Sequence, residues 1–185
     1  MSTSNILFPS LIFSDDNLIG EKVERATRRL KDLKGIFHDE KAFSSMPKDT
    51  LAYEVSSFLP EKEGTPGGLY FGITYLYPAK VGDEYFMTKG HFHAQIDRAE
   101  FYWGIKGEGM LIMMDQNRKV WAERMFPGSL HYIPGGIAHR VANTGNQLLS
   151  FGACWPSDAG HNYGEIATNG FEKRLLDRNG IPNLI

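Results

Sequence analysis

The sequence TKGHFHAQIDRAEFY, residues 88–102, carries the clearest chemical pattern of this chain. His91 and His93 alternate about one residue, and alternate side chains of a β-strand lie on one face. Both imidazoles therefore point into the same space if the run is extended. Glu100 can return to that space on a neighbouring strand after a gap of six residues. Two imidazoles and a carboxylate are typical of a divalent-metal site, which still lacks a fourth ligand.

A second stretch, GSLHYIPGGIAHRVAN at residues 128–143, offers that fourth ligand. Gly128 and the run Pro134-Gly135-Gly136 would turn the chain into and out of a short strand. His139 then opens the next strand and faces inward. Three histidines and one glutamate would leave two positions of an octahedral metal open, as a substrate with two adjacent oxygens needs.

The composition excludes several classes of protein. The 185 residues suit one domain with a sizeable core, and 20 Lys and Arg against 22 Asp and Glu give a formal net charge of −2. This balance offers no basic surplus for nucleic acid and no polybasic block for a membrane surface. No apolar run approaches the roughly 20 residues of a membrane helix, and residues 1–7 lack the pattern of a secretory signal. We therefore expect a cytoplasmic protein that binds neither nucleic acid nor membranes.

An amphipathic helix is predicted from Asp15 to Leu33. Asp15 and Asp16 suit the N-cap and first turn, and Gly35 suits the position just beyond the C-terminal end. Apolar residues recur at spacings of four, three, four and three, which makes one stripe. The stripe consists of Ile19, Val23, Ala26, Leu30 and Leu33. The arginines between them, Arg25, Arg28 and Arg29, are interpreted as a solvated face of this helix.

Short strands separated by Gly- and Pro-containing turns dominate the rest of the chain. One helix followed by many such strands predicts an antiparallel sandwich or barrel, and the absence of βαβ alternation disfavours Rossmann and TIM architectures. The predicted strands are 51–58, 69–77, 84–88, 100–105, 109–115, 119–124, 130–133, 139–143 and 148–155, with a further candidate at 171–177.

Several motifs resemble the cupin superfamily. Residues 128–143 fit its second motif, G-x5-P-x-G-x2-H-x3-N, and the first motif is matched at His91-x-His93 and at Glu100-x6-Gly107. The six residues between His93 and Glu100 depart from the general spacing of three or four. That longer gap, with segments 84–102 and 156–164, closely resembles the cupin-type glucose-6-phosphate isomerases. The likeness covers roughly residues 17–175.

The resemblance implies a fold and an assembly. It implies an all-β cupin jelly-roll barrel with an N-terminal helix and few other short helices. The whole chain, 1–185, would be one cupin domain. Its parts would be an N-terminal helical or extended arm (1–50), a barrel core (51–155) and a C-terminal segment closing the site (156–185). A homodimer is expected from the family and from the exposed edges of an antiparallel sheet.

The resemblance also implies interconversion of glucose 6-phosphate and fructose 6-phosphate, through an enediol or a hydride shift. Matched by position, the metal ligands are His91, His93, Glu100 and His139, and Glu100 is also the proposed base. The cofactor would be a divalent metal, Fe²⁺ first, with Mn²⁺, Zn²⁺ and Ni²⁺ as alternatives.

Further side chains are placed in the sugar pocket by the same resemblance. His161 and Tyr163 would line it and assist ring opening or proton handling. Tyr102 lies two residues from Glu100, so it shares that face of the strand and is either catalytic or a core tyrosine.

The phosphate of the substrate needs hydrogen-bond donors. The resemblance places the hydroxyls of Tyr53, Thr74 and Thr88 there, with the backbone N–H of Gly90. No arginine is assigned to the phosphate. Lys89 is interpreted as solvated because its parity along the strand differs from that of Thr88.

Two other functions remain open from the sequence. A cupin dioxygenase would share the metal ligands but would need no phosphate site. A non-catalytic cupin that binds sugar phosphates would need the phosphate site but no metal chemistry. A close variant of the first function, phosphomannose isomerase, differs only in its handling of C2.

Overall fold

The computed structural model describes residues 5–185, which fold into strands with little helix. None of the helices in this part of the chain has the length and apolar character of a membrane span. The helical elements are a 3₁₀ turn (Leu30–Leu33), α1 (Glu40–Ser45) and α2 (Gly164–Asn169). The strands are β1 (Ile12–Ser14), β2 (Asn17–Ile19), β3 (Val23–Arg29), β4 (Leu51–Phe58), β5 (Leu69–Leu76), β6 (Lys80–Val81), β7 (Glu84–Tyr85), β8 (Glu100–Lys106), β9 (Gly109–Met114), β10 (Val120–Met125), β11 (Leu130–Ile133), β12 (Ala138–Asn143), β13 (Leu149–Pro156), β14 (Leu175–Arg178) and β15 (Ile181–Leu184).

Two antiparallel sheets form the body of the fold. One has six strands in the order β11-β8-β13-β5-β4-β3, and the other has three in the order β10-β9-β12. A single cluster of buried residues contains side chains from both sheets, such as Leu76 and Phe151 from the first and Leu111 and Val141 from the second. This arrangement confirms the all-β prediction, since side chains of one sheet face pack against the other sheet.

Strict alternation gives the six-stranded sheet an inner and an outer face. On β13, Phe151, Ala153 and Trp155 line a cavity on the inner face, whereas Gly152 lies beneath Trp103 on the outer face. A Cβ at Gly152 would come within 2.1 Å of the Trp103 ring. The absence of a side chain there lets Trp103 lie flat on the strand.

The predicted strands are confirmed, with shifts at their ends. The largest differences are at residues 84–88, where the strand is only Glu84–Tyr85, and at 171–177, where it is Leu175–Arg178. Beyond β7 the chain leaves the small sheet of β6, β7, β14 and β15, and Met87 instead pairs with Ala142 of β12. This change of partner carries residues 88–93 to the edge of the three-stranded sheet.

The N-terminal helix predicted at Asp15–Leu33 is wrong. Asp15 and Asp16 have φ values of 51° and 63° and form the turn of the β1–β2 hairpin, so no helix can begin there. Residues 23–29 form β3, which pairs antiparallel with β4 along its length. The apolar stripe was a coincidence of spacing, because its first members lie on β2 and β3 and only Leu30 and Leu33 lie on a helical turn.

The pairing of β3 with β4 explains why the local sequence pattern wrongly predicted a helix. β3 is an edge strand with mostly exposed side chains, so it lacks the apolar alternation that marks a half-buried strand. Hydrogen bonds to β4 and packing on the sheet decide its conformation, and such context overrides local propensity. The division into arm, barrel core and closing segment stays a prediction.

Candidate active site

Backbone pairing brings the two histidine motifs together. His91 and His139 form an isolated antiparallel bridge, with N–O distances of 3.3 Å and 3.1 Å in the two directions. His93 follows two residues after His91, and Glu100 opens β8 on the facing sheet. In residues 5–185, these four residues offer ligand atoms that all lie within 4.8 Å of one another.

Two backbone carbonyls fix the tautomer of two of these histidines. His93 Nδ1 lies 2.8 Å from the carbonyl oxygen of Arg98, and His139 Nδ1 lies 3.1 Å from that of Ile137. A carbonyl oxygen only accepts, so each Nδ1 must carry a proton and donate it. In the neutral rings the lone pair is then on Nε2, which is the arrangement of a histidine metal ligand.

The Glu100 carboxylate faces both Nε2 atoms. Its Oε1 lies 3.3 Å from His93 Nε2 and 2.5 Å from His139 Nε2. Among the described residues, Glu100 Oε1 and His139 Nε2 are buried without a hydrogen-bond partner. Neighbouring lone pairs repel one another, and buried polar atoms without partners are costly, so the arrangement needs a cation between them. The donor set therefore fits a divalent metal.

The electrostatics keep Glu100 and His91 in the protonation states of ligands, whereas Glu100 raises the pKa of His93 against the opposing effect of its burial. Burial by itself would raise the pKa of Glu100, but the charges and contacts of His139 and His93 outweigh it and hold the pKa below its usual range. Burial, reinforced by His139 and His161, lowers the pKa of His91 well below its usual value. Glu100 is then ionised and His91 neutral at neutral pH.

The chain returns past this cluster at residues 159–163. Asn162 pairs with Phe92, and the Gln95 N–H donates to the Ala159 carbonyl, so the segment runs beside the first histidine motif. This places the His161 ring 4.5 Å from the His91 ring, measured between centroids. The Tyr163 ring stacks on His161 at 5.6 Å with an angle of 4° between planes. Both predicted pocket residues thus lie beside the candidate ligands.

His161 and Tyr102 differ in their exposure to solvent and in the direction of their pKa shifts. His161 is exposed at the mouth of the cavity, yet neighbouring rings shield its imidazole from water and lower its pKa. Tyr102 lies deeper, where burial and the nearby Glu100 charge raise its pKa well above the usual value. Tyr102 is therefore a neutral hydroxyl beside Glu100.

A cavity of about 680 Å³ joins these groups. His91, Glu100 and His139 line it at one end, and Tyr102, His161 and Tyr163 border it. A volume of this size suits a small organic ligand.

Three of the four residues predicted for the phosphate line the same cavity, namely Tyr53, Thr74 and Thr88. Thr88 Oγ1 accepts from the Val141 N–H at 3.0 Å, which leaves its own hydroxyl proton free to donate. Gly90 does not line the cavity. It is buried with a φ of 78°, and a Cβ there would meet Phe171 at 3.0 Å.

Two cationic residues of the cavity wall were not predicted to lie there from the sequence. Arg28 lines the cavity from β3, and Lys89 lines it between Thr88 and the first ligand. Arg28 was placed on a helix that does not exist. Lys89 was interpreted as solvated because its parity differs from that of Thr88, yet both line the cavity, since residues 88–90 do not form a strand and Gly90 has a φ of 78°.

The gap between His93 and Glu100 holds an ion pair that the sequence did not reveal. The Arg98 guanidinium donates to both carboxylate oxygens of Asp158, from Nε at 2.9 Å and from Nη2 at 2.8 Å. The carbonyl of the same residue orients His93. The insertion therefore ties the ligand loop to the segment that carries His161, and such bidentate pairs fix geometry well.

We expect Asp158→Asn to lower turnover more than metal content. The change removes the bidentate pair, whereas the carbonyl that orients His93 stays in place. Displacement of His161 by about 1 Å would lower kcat by about 10- to 100-fold. Steady-state kinetics and metal analysis of the purified variant measure both quantities. Arg178→Met, which breaks a surface pair with Asp83 (2.7 Å) far from the cavity, is the control. Equal loss of metal and activity in Asp158→Asn would contradict this positioning role.

Comparison with known proteins is consistent with this geometry. The family model described as "Glucose-6-phosphate isomerase (GPI)" matches residues 27–182. The glucose-6-phosphate isomerase of Thermococcus kodakarensis is 48% identical over 164 residues, which are 88% of this chain and 85% of that protein. That of Pyrococcus furiosus is 44% identical over 168 residues, 89% of this chain and 87% of that protein.

The chain belongs to the glucose-6-phosphate isomerase family. A solved structure of oxalate oxidase matches with a TM-score of 0.51 at 16% identity, over 66% of this chain and 59% of that one. At that identity the likeness concerns the fold alone, and it shows the cupin fold that the sequence motifs predicted.

A tryptophan forms part of the cavity wall. Trp155 lines the cavity with its ring packed edge-on against Tyr70 at 5.8 Å. A Cβ at Gly72 would lie 3.2 Å from the Trp155 ring, so the small residue makes room for the larger aromatic. No hydroxyl is therefore offered to a ligand from this position.

Proposed function

We propose that this chain is a metal-dependent isomerase that interconverts glucose 6-phosphate and fructose 6-phosphate. The observation that carries the proposal is the convergence of the Glu100 carboxylate with the imidazoles of His91, His93 and His139, in which Glu100 Oε1 and His139 Nε2 are buried without a hydrogen-bond partner. This cluster contributes to the wall of a cavity that also contains hydroxyl groups and the cations Arg28 and Lys89. Membership of the isomerase family supports the choice of reaction.

The proposed ligands of the metal are His91, His93, Glu100 and His139. Imidazole suits Fe²⁺, Ni²⁺ and Zn²⁺, while a carboxylate tolerates the harder Mn²⁺, and we place Fe²⁺ first. The metal, when bound, polarises the carbonyl of the substrate and makes the neighbouring C–H more acidic.

The proton transfers are assigned to residues of this chain. Glu100 is ionised and is the proposed base between C1 and C2, with the neutral hydroxyl of Tyr102 beside it. His161, beside His91 and open to the cavity mouth, is proposed to handle the proton during ring opening, with Tyr163 stacked on it. A hydride shift between C1 and C2 is the rival path and needs no base.

The phosphate is proposed to bind at the end of the cavity away from the metal. Tyr53, Thr74 and Thr88 offer hydroxyls there. The backbone N–H of Gly90 remains part of the proposal, although Gly90 is buried beside this end rather than on its surface.

Thr88→Val tests this assignment at one hydroxyl. Valine keeps the shape, but its methyl group can neither donate to the phosphate nor accept from the Val141 N–H. We expect KM for fructose 6-phosphate to rise by about 10-fold with kcat nearly unchanged, since the lost contact serves ground state and transition state alike. Steady-state kinetics on metal-loaded protein measures both constants. Unchanged KM would place the phosphate elsewhere.

A homodimer is proposed from an apolar outer surface. Phe101 and Tyr132 lie on β8 and β11 with ring centroids 5.2 Å apart, and Leu130 beside them is 67% exposed. β11 is an edge of the six-stranded sheet, and an apolar edge invites pairing. Light scattering after size-exclusion chromatography tests this, and a monomer at micromolar concentration would contradict it.

The place of the reaction in the cell follows from the substrate class. Glucose 6-phosphate and fructose 6-phosphate are intermediates of glycolysis and gluconeogenesis, so we propose the cytoplasm as the location. The division into an arm (1–50), a barrel core (51–155) and a segment closing the site (156–185) is kept as part of the same proposal. Fractionation of cells that express the protein tests the location.

Anaerobic conversion of fructose 6-phosphate by Fe²⁺-loaded protein tests the function. The isomerase proposal predicts that glucose 6-phosphate accumulates without oxygen. Oxygen uptake with no isomerisation would favour a cupin dioxygenase. Binding of 6-phosphogluconate without turnover would favour a non-catalytic sugar-phosphate-binding cupin. A parallel assay with mannose 6-phosphate shows whether C2 epimers are accepted.

A further inference from the structure

The cavity wall carries two cations that form no ion pair with a carboxylate of the described residues. Arg28 Nη1 donates to the Thr27 carbonyl at 2.9 Å, and its guanidinium forms no ion pair within residues 5–185. Lys89 Nζ lies 4.7 Å from the centroid of the Tyr163 ring and has no carboxylate partner in this part of the chain. Both side chains line the cavity wall.

These cations flank the hydroxyl of Tyr53. Arg28 on β3 is the cross-strand partner of Tyr53 on β4, and directly paired residues share a sheet face. Burial raises the pKa of Tyr53 to about 12, while the backbone of Lys89 and the Arg28 charge oppose the rise. Arg28, Tyr53 and Lys89 therefore belong to one part of the cavity wall.

The carboxylates of the cavity are not paired with these cations. Glu24 lies four residues from Arg28 on β3, about 13 Å at the usual rise of a strand. Asp32 is an acidic residue near Tyr53, and its carboxylate accepts from the Arg29 backbone N–H at 2.8 Å. An anionic ligand in the cavity is thus attracted by Arg28 and Lys89 and repelled by Glu24. The carboxylates that line the cavity are Glu24, Glu61, Glu63 and the candidate ligand Glu100.

The two cations and the candidate metal ligands belong to one cavity. Lys89 lies two residues before His91, and Arg28, Lys89 and His91 all line this cavity. A hexose phosphate bound in it can therefore place its phosphate at the cations and its C1 and C2 at the metal ligands.

We infer that Arg28 and Lys89 bind the phosphate dianion directly and make the site selective for phosphorylated over unphosphorylated sugars. This inference rests on the proposed isomerase function and adds two specificity-determining residues to it. The partial exposure of both cations screens their attraction, so each makes a moderate contribution to binding.

Arg28→Gln and Lys89→Met test the inference through the split between KM and kcat. Each change is expected to raise KM for fructose 6-phosphate by about 10-fold while kcat stays within about 2-fold, because the phosphate is remote from the reacting carbons. Arg28→Lys is expected to recover most of the loss. Arg25→Gln is the matched control, since Arg25 lies on the same strand with its side chain on the outer face, in a separate cleft. Unchanged KM in both test variants would overturn the inference.

Calorimetry separates this inference from the proposed function. Metal-loaded wild type and Arg28→Gln are titrated with 6-phosphogluconate and with gluconate. The variant is expected to bind 6-phosphogluconate about 10-fold more weakly and gluconate unchanged, because only the first carries the phosphate. Equal weakening of both ligands, or of neither, would overturn the inference. Absence of isomerisation by wild type with the ligand difference intact would overturn the isomerase function while supporting phosphate recognition.

Discussion

Replacing Glu100 by glutamine is expected to lower isomerase kcat by about 1,000-fold or more and to release most of the bound metal. The carboxamide keeps the shape of the side chain but has no negative charge and only one acceptor oxygen. It can neither balance a divalent cation beside three imidazoles nor accept a proton from the sugar. Both losses act on the same step, and base catalysis alone contributes about 100- to 10,000-fold.

Kinetics and metal analysis of Glu100→Gln measure the two effects separately. Glu54→Gln is the matched control, because Glu54 accepts from the Tyr77 hydroxyl at 2.9 Å on the outer face of the same sheet. Its catalytic constants should match those of wild type. If Glu100→Gln retained metal but lost turnover, the base role would be separated from the ligand role. Normal kcat in this variant would show that the assignment of Glu100 is wrong.

The second large effect is expected for His139→Ala. The change removes a proposed ligand from the cluster, where Nε2 lies 2.5 Å from Glu100 Oε1. Since even changes to residues behind metal ligands weaken binding by about 10- to 100-fold, we expect loss of a ligand to weaken it by about 100-fold or more. Turnover should fall with metal occupancy. Metal content after gel filtration, with activity at saturating metal, measures both.

His131→Ala is the control for the removal of a buried histidine that is not a proposed metal ligand. His131 is 3% exposed and His139 is 1% exposed, but His131 bonds to Glu123 at 2.7 Å and to Ser129 at 2.9 Å. Its loss should lower stability and leave metal content unchanged. Full metal occupancy in His139→Ala, at wild-type stoichiometry, would contradict the proposed ligand set.

The candidate site could be predicted from the sequence where a short-range residue pattern determines the positions of the side chains. His91 and His93 share a face because strand alternation holds over two residues, and His139 lies at the start of a strand that the glycine and proline turns delimit. The strand predictions succeeded for the same reason. β4 and β5 carry aromatic and β-branched residues between clear turns, so local preference and tertiary structure agree.

Prediction from the sequence failed where long-range strand pairing determines the local structure. β3 carries charged residues whose pattern fits a helix as well as a strand, and only hydrogen bonds to β4 resolve the choice. That error also concealed Arg28 as a residue of the cavity. The pair of Arg98 and Asp158 joins positions 60 residues apart, which no local pattern reveals. The function of the long gap after His93 therefore became visible only in three dimensions.

Removal and return of the metal tests whether isomerase activity depends on it. The protein is treated with EDTA, its metal content is measured, and conversion of fructose 6-phosphate is assayed before and after addition of Fe²⁺, Mn²⁺ or Zn²⁺ under anaerobic conditions. We expect isomerase activity to disappear with the metal and to return at one metal ion per site, most strongly with Fe²⁺. Full isomerase activity in protein shown to be free of metal would contradict the proposed metal dependence.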